Sequence, residues 1–285
     1  MNFSLRPGRP DDAPLLGAIC YEAFRKIATS HNFPPDFPTP EIATGFMGMA
    51  LSHPEMYSLV AEIDGRIAGS NFLWEQGPIA GIGPITVDPG RQDGGTGRRL
   101  MEAVLERVAS TGRPGVRLVQ AAYHNRSLSL YTKLGFDPRE PLSVMNGAPL
   151  QSRIAGHDVR SATAGDSDAC NALCRKIHGH DRPGEVRDAI KQGSATVVER
   201  EGRITAYATV VGFFGHAIGE TNTDLKALIA HTPRFAGVGM LVPTRNADLF
   251  RWCLQSGLKV VQPLTLMSRG LYNEPQGAFL PSILF

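Results

Sequence analysis

Four cysteines are scarce material for a metal site. Cys20, Cys170, Cys174 and Cys253 make no CxxC pair, which excludes a structural zinc site of the usual spacing. Long apolar runs are also missing. The longest uncharged stretch, Ile204 to Gly219, is 16 residues and contains Thr, Tyr, His and three Gly, too short and too polar to span a bilayer. Acidic Asp11 and Asp12 stand where a secretory leader needs an apolar run, so a soluble cytoplasmic protein with no membrane partner is expected. Charge of one sign is lacking too. The net charge is +2 over 285 residues. Residues 1–150 carry 14 basic and 15 acidic side chains, and residues 151–285 carry 15 and 12. Neither half is basic enough for sequence-independent nucleic-acid binding.

What is plentiful is punctuation. Gly (31) and Pro (21) recur throughout, which suits many short elements and argues against a long coiled coil. With 42% apolar residues, the length predicts two domains or one large one. The first half reads as alternating elements. A helix over Leu15 to Ile27 starts after Asp11-Asp12. A proline-rich arm, HNFPPDFPTPE (residues 31–41), must be irregular. A short helix over 41–51 follows. Strands are expected at Tyr57 to Glu62, Arg66 to Trp74 and Ile79 to Val87, the last interrupted by Pro84, which implies an edge or a bulge. After the loop Gly90 to Gly97 come a helix bearing Leu100, Val104 and Val108, a strand over Val116 to His124, a short helix over Ser127 to Leu134 and a strand over Leu142 to Met145.

The second half repeats this order. Arg160 and Asp166 mirror Arg6 and Asp12. Gly202-Arg203-Ile204 mirrors Gly65-Arg66-Ile67, and Gly257-Leu258 mirrors Gly135-Phe136. Cys170, Cys174 and His178 fall at i, i+4 and i+8. They are read as a buried helix stripe rather than a metal site.

The segment VDPGRQDGGTGRRL carries the chemistry. A strand runs into a glycine loop and then a helix, so successive backbone N–H groups and the helix dipole converge on one anion site. Arg98 and Arg99 sit in the first helical turn, where a bound anion offsets the dipole's penalty on cations. Two phosphate motifs fail. Gly90-x-x-x-x-Gly95-Thr96 has no P-loop lysine, and no GxGxxG unit follows a strand.

Val87-x-Pro89-x-x-Gln92-x-x-Gly95-x-Gly97 resembles the acyl-CoA signature of the GNAT family of N-acetyltransferases. HNRSLSLYTKLGF, ending at Phe136, resembles that family's second segment. Together they cover about fifty residues. The resemblance implies an α/β (α+β) fold of two GNAT-like domains, each a mixed, mostly antiparallel twisted sheet flanked by helices, with splayed central strands in the first. Residues 1–150 are the expected acyl-CoA-binding domain. Residues 157–285 are the expected degenerate copy, with Cys253 at the tyrosine position and HAIGETNTDLKALIAH in place of the glycine loop.

The resemblance further implies transfer of an acetyl group from acetyl-CoA, as cosubstrate and without a metal, directly to an amine, most simply of a small molecule. A binding module without turnover and a lysine acetyltransferase are the alternatives. Thr86, Val87, Gln92, Asp93, Gly94, Gly95, Thr96, Gly97 and Arg98 are the implied cofactor contacts, with Asn125 and Tyr131. Tyr131 is the implied general acid. The base stays open between Glu75 and His124, and the family's asparagine position falls on either His124 or Asn125. The Leu280 to Phe285 end is read as a tail packed on the fold or as a homodimer contact.

Overall fold

The computed structural model describes residues 2–284. Phe285, the last residue of the apolar tail, therefore lies outside the described residues. Two compact units result. One comprises the chain up to Asp137 with Ser268–Leu271 and Leu284; the other comprises Pro138–Met267 with Tyr272–Ile283.

In the first unit the elements run β1 (Phe3–Pro7), α1 (Ala13–Ser30), α2 (Pro40–Ser52), β2 (Met56–Ile63), β3 (Arg66–Trp74), β4 (Ile79–Ile82), β5 (Thr86–Val87), α3 (Thr96–Ser110), β6 (Gly115–Ala121) and α4 (Asn125–Lys133). The sheet order is β1-β2-β3-β4-β6, with β5 paired to β3. Pairs along β1 to β5 are antiparallel and β4–β6 is parallel. Apolar residues of α1 and α2, including Leu16, Cys20 and Met47, close one core against Val60 and Phe72. Leu100, Val104 and Val108 of α3 are buried, each stabilising the fold by about 1.5–3 kcal/mol. Of the proline arm, residues 31–39 form no regular element, whereas Pro40 and Glu41 are the first residues of α2, where Pro is tolerated because its missing N–H would have no helical partner.

The strand expected over Ile79 to Val87 is two strands. Leu73 pairs with Ile82 and Ser70 with Thr86, so two residues of β3 face three on the other side. That is a β-bulge at Gly83–Ile85. Pro84 thus marks a bulge inside the sheet rather than an edge. Beyond it β5 pairs with β3, whereas the ladder between β4 and β6 ends at Gly81–Arg117. The central strands therefore part here. Gly69 permits the close approach of β5, because a Cβ there would sit 2.3 Å from the Thr86 carbonyl oxygen.

The second unit holds β7 (Asp137–Asn146) from Pro138 on, β8 (Asp158–Ser161), α5 (Ser167–His178), α6 (Pro183–Lys191), β9 (Thr196–Arg200), β10 (Arg203–Ala208), β11 (Ala217–Gly219), α7 (Asn222–His231), β12 (Met240–Pro243), α8 (Ala247–Gln255), β13 (Lys259–Gly270) as far as Met267, and β14 (Ala278–Leu280). β13, β7 and β12 are neighbours, and β14-β11-β10-β9-β8 form a second sheet. Cys170, Cys174 and Ile177 of α5 pack on Tyr207 and Val197 in a core cluster.

The repeat read from the sequence has a structural counterpart. Arg6 donates to both oxygens of Asp12 (2.8 and 2.9 Å) and to Glu62 (2.7 Å). Arg160 does the same to Asp166 (2.8 Å to each oxygen) and Glu199. Each carboxylate also accepts a backbone N–H at the entry to the following helix. The arginine holds the Asp12 carboxyl below its ordinary range despite burial. A depressed carboxylate stabilises above its unfolded pKa, and that stability is lost as pH falls through the folded value. Asp12→Asn should therefore cost about 1–2 kcal/mol at neutral pH. Urea melts of the two proteins should converge as the buffer is acidified below pH ~4.

Candidate active site

A cavity of about 730 Å³ lies at β5, between the glycine loop, α4 and α1. Its floor is Ile85, Thr86 and Val87. The glycine loop and α3 contribute Gln92, Asp93, Gly95, Thr96, Gly97 and Arg98. The α4 end contributes His124, Asn125, Arg126, Leu130, Tyr131 and Lys133, and α1 supplies Ala23, Phe24 and Ile27. All of these belong to the first unit.

The loop is shaped for an anion. Gly95 is the N-cap of α3 with φ 79°, and no side chain caps the helix. Asp93 has φ 74°. Left-handed residues here turn the chain so that the first amides of α3 face outward, and a Cβ placed on Gly94 or Gly95 would meet nothing within 4 Å. Buried Thr96 has no partner for its hydroxyl. Gln92 instead donates its Nε2 to the Val87 carbonyl (3.3 Å), bracing the loop on β5. Arg126 pairs with Asp93 at 2.6 Å, and Arg98 with Glu102 at 3.2 Å. An uncapped helix start, a free hydroxyl and three lining cations fit the pyrophosphate of a CoA thioester.

The second unit supplies the contrast. At the start of α7, Thr221 and Asp224 cap each other. The Asp224 carboxylate is fully buried and accepts from the Thr221 amide at 2.9 Å and from Arg200 at 3.4 Å. That helix N-terminus already holds an anion of its own.

His124 and Asn125 both line the cavity. Asn246 is the N-cap of α8 and accepts from the Leu249 amide. His124 is the N-cap of α4, where it caps nothing. His124 and Asn246 thus stand at the same place, the N-cap, of their respective helices. Partial burial, with Arg126 and His31 nearby, lowers its pKa, so the imidazole is neutral at physiological pH. Tyr131 is buried, which pushes its phenol well above the ordinary tyrosine value.

Glu75 and Gly94 are not among the cavity-lining residues. Glu75 is instead held bidentately by Arg107 (3.1 Å to each oxygen), with Arg113 at 3.7 Å. Sequence reasoning missed Ala23, Phe24, Ile27, Arg126 and Lys133. Lys133 was visible as the lysine of LYTKLGF. The α1 residues carry no local signal that separates a cavity wall from a core face. Among the described residues no group of three or more His, Cys, Asp or Glu could hold a metal ion, and no helix is long and apolar enough to cross a membrane.

Residues 21–136 match the model of the acetyltransferase (GNAT) family. This segment is a GNAT domain. Over 83 residues the chain is 34% identical to a mycothiol acetyltransferase of Clavibacter michiganensis subsp. michiganensis, covering 29% of this chain. The match spans only about a quarter (27%) of that relative's length. The whole fold resembles a Pyrococcus horikoshii protein classed as an acetyltransferase (TM-score 0.73, 17% identity, 96% of this chain and 91% of that one). It also resembles a tandem GNAT protein from the clavulanic acid biosynthesis pathway (TM-score 0.57, 13% identity, 94% and 98% covered). At such identities the likeness speaks for the fold alone.

Proposed function

We propose that the first unit of this protein is an acetyl-CoA-dependent N-acetyltransferase acting on a small-molecule amine, and that the second unit binds no CoA. The observation that carries the reading is one cavity that joins an uncapped, glycine-lined helix start to a neutral histidine and a buried tyrosine. Acetyl-CoA supplies the activated acyl group as a thioester. Residues Gln92 to Gly97, with Arg98, hold its phosphates, and Thr86 and Val87 offer backbone to its arm.

An alkylamine with a pKa near ~10 must lose a proton before it attacks. Neutral His124 accepts that proton. A backbone N–H at Val87 is the simplest donor to the carbonyl oxygen as charge grows there. Tyr131 gives its proton to the departing sulfur. Its raised pKa keeps the phenol protonated at every working pH, and the burial that weakens it as an acid also makes an unsolvated thiolate a stronger base.

The reading is tested by thiol release from acetyl-CoA across an amine panel, with mass spectrometry of the acetylated product. CoA binding without transfer to any amine would instead favour a sensing module. A second expectation follows for pH. Because His124 titrates below the ordinary histidine value, the neutral base persists into mildly acidic buffer. With an arylamine acceptor, kcat/KM should stay flat from pH 8 down past ~6.5 and fall only below it. His124→Gln should remove that limb. A limb above pH ~6.5 that survives the substitution would reassign the base.

A further inference from the structure

Charge is distributed unevenly around the cavity. Its charged lining residues are Asp93, Arg98, Arg126 and Lys133. All four sit on the glycine loop, α3 or α4, beside the proposed phosphate site. The wall from α1 is different. Ala23, Phe24 and Ile27 recur on one face of the helix. The charges of that stretch, Glu22, Arg25 and Lys26, are all exposed, and Glu22 pairs with Arg25 at 2.7 Å. Ile85 continues the apolar surface from the bulge. This wall is braced from behind: Phe24 meets Phe37 edge-on at 5.8 Å, and Phe37 meets Phe46 at 5.8 Å. Outside the lining, the proline arm stacks Phe33 on Tyr123 at 4.4 Å, one residue before His124, and carries the one acidic group of that arm's tip, Asp36, whose charge acts on Tyr123 and Cys20.

An acceptor resting on this wall meets hydrocarbon, with the reacting nitrogen directed at His124. A carboxylate or second ammonium on its body would lose water and find no partner among the described α1 and β5 lining residues, a costly exchange. Building on the transfer reading above, we infer that the acceptor is a primary amine on an apolar aryl or alkyl body, with no second charged group.

The test uses the full chain, acetyl-CoA and matched amines. One pair is phenethylamine and phenylalanine, which differ by an α-carboxylate. The other is hexylamine and 1,6-diaminohexane, which differ by a second ammonium. The uncharged-body member of each pair should be favoured by about tenfold or more in kcat/KM. Ile27→Asp should lower that preference and improve the diamine while leaving the acetyl-CoA Kd unchanged, a reversal that a merely misfolded variant cannot show. Equal or better rates with phenylalanine and the diamine, or a lysyl peptide preferred to every free amine, would overturn the acceptor class and leave the transferase reading standing. Failure of every amine, with CoA still bound, would overturn the transferase reading itself and the acceptor class with it.

Discussion

Tyr131→Phe should lower kcat by roughly 10²-fold or more and leave the affinity for acetyl-CoA intact. The substitution removes one oxygen from a buried ring that packs tilted against Phe136, so α4 keeps its shape. What disappears is the proton available to the sulfur. The loss should shrink when a thioester with a more acidic thiol leaving group replaces acetyl-CoA, because such a thiolate departs without help. A merely structural role for the hydroxyl would give the same loss for both thioesters. Comparing single-turnover rates on the two donors separates these cases.

Gly95→Asp should abolish tight CoA binding. It tests the difference between the two units directly, since it gives α3 the kind of internal carboxylate that Asp224 gives α7. Asp tolerates a left-handed conformation better than most residues, so the fold should survive. A carboxylate at the helix start competes for the amides and repels the phosphates. One unit charge about 4 Å from another, at an effective dielectric near 20, is worth about 4 kcal/mol, which corresponds to a loss of two decades or more in Kd. Gly95→Ala is the control. It carries only the left-handed backbone penalty of about 1–2 kcal/mol and no charge, so it should weaken binding far less than Asp.

The parts of this site that the sequence made legible are those built from contiguous chain. The glycine loop, its flanking strand and α3 lie within one stretch, so composition and order alone located them. The Arg6–Asp12 and Arg160–Asp166 pairs were legible for the same reason, being six residues apart. Other features are tertiary. Glu75 stood in the sequence as a strand-end carboxylate, and the arginines that occupy it lie 32 and 38 positions further on. The apolar acceptor wall belongs to α1, where Phe24 and Ile27 look like any core-facing pair. His124 and Asn125 are adjacent and both line the cavity, so counting along the chain does not separate them. The chain divides in two as expected from its length, but the compact units break after Asp137 rather than at 150–157, and Ser268–Leu271 joins the first unit from more than a hundred residues away.

Calorimetric titration of the full chain with acetyl-CoA tests the central claim most directly. One site per chain is expected, lost in Gly95→Asp and retained in Tyr131→Phe and in Asp224→Asn. Two sites per chain, or a single site indifferent to Gly95→Asp, would contradict it.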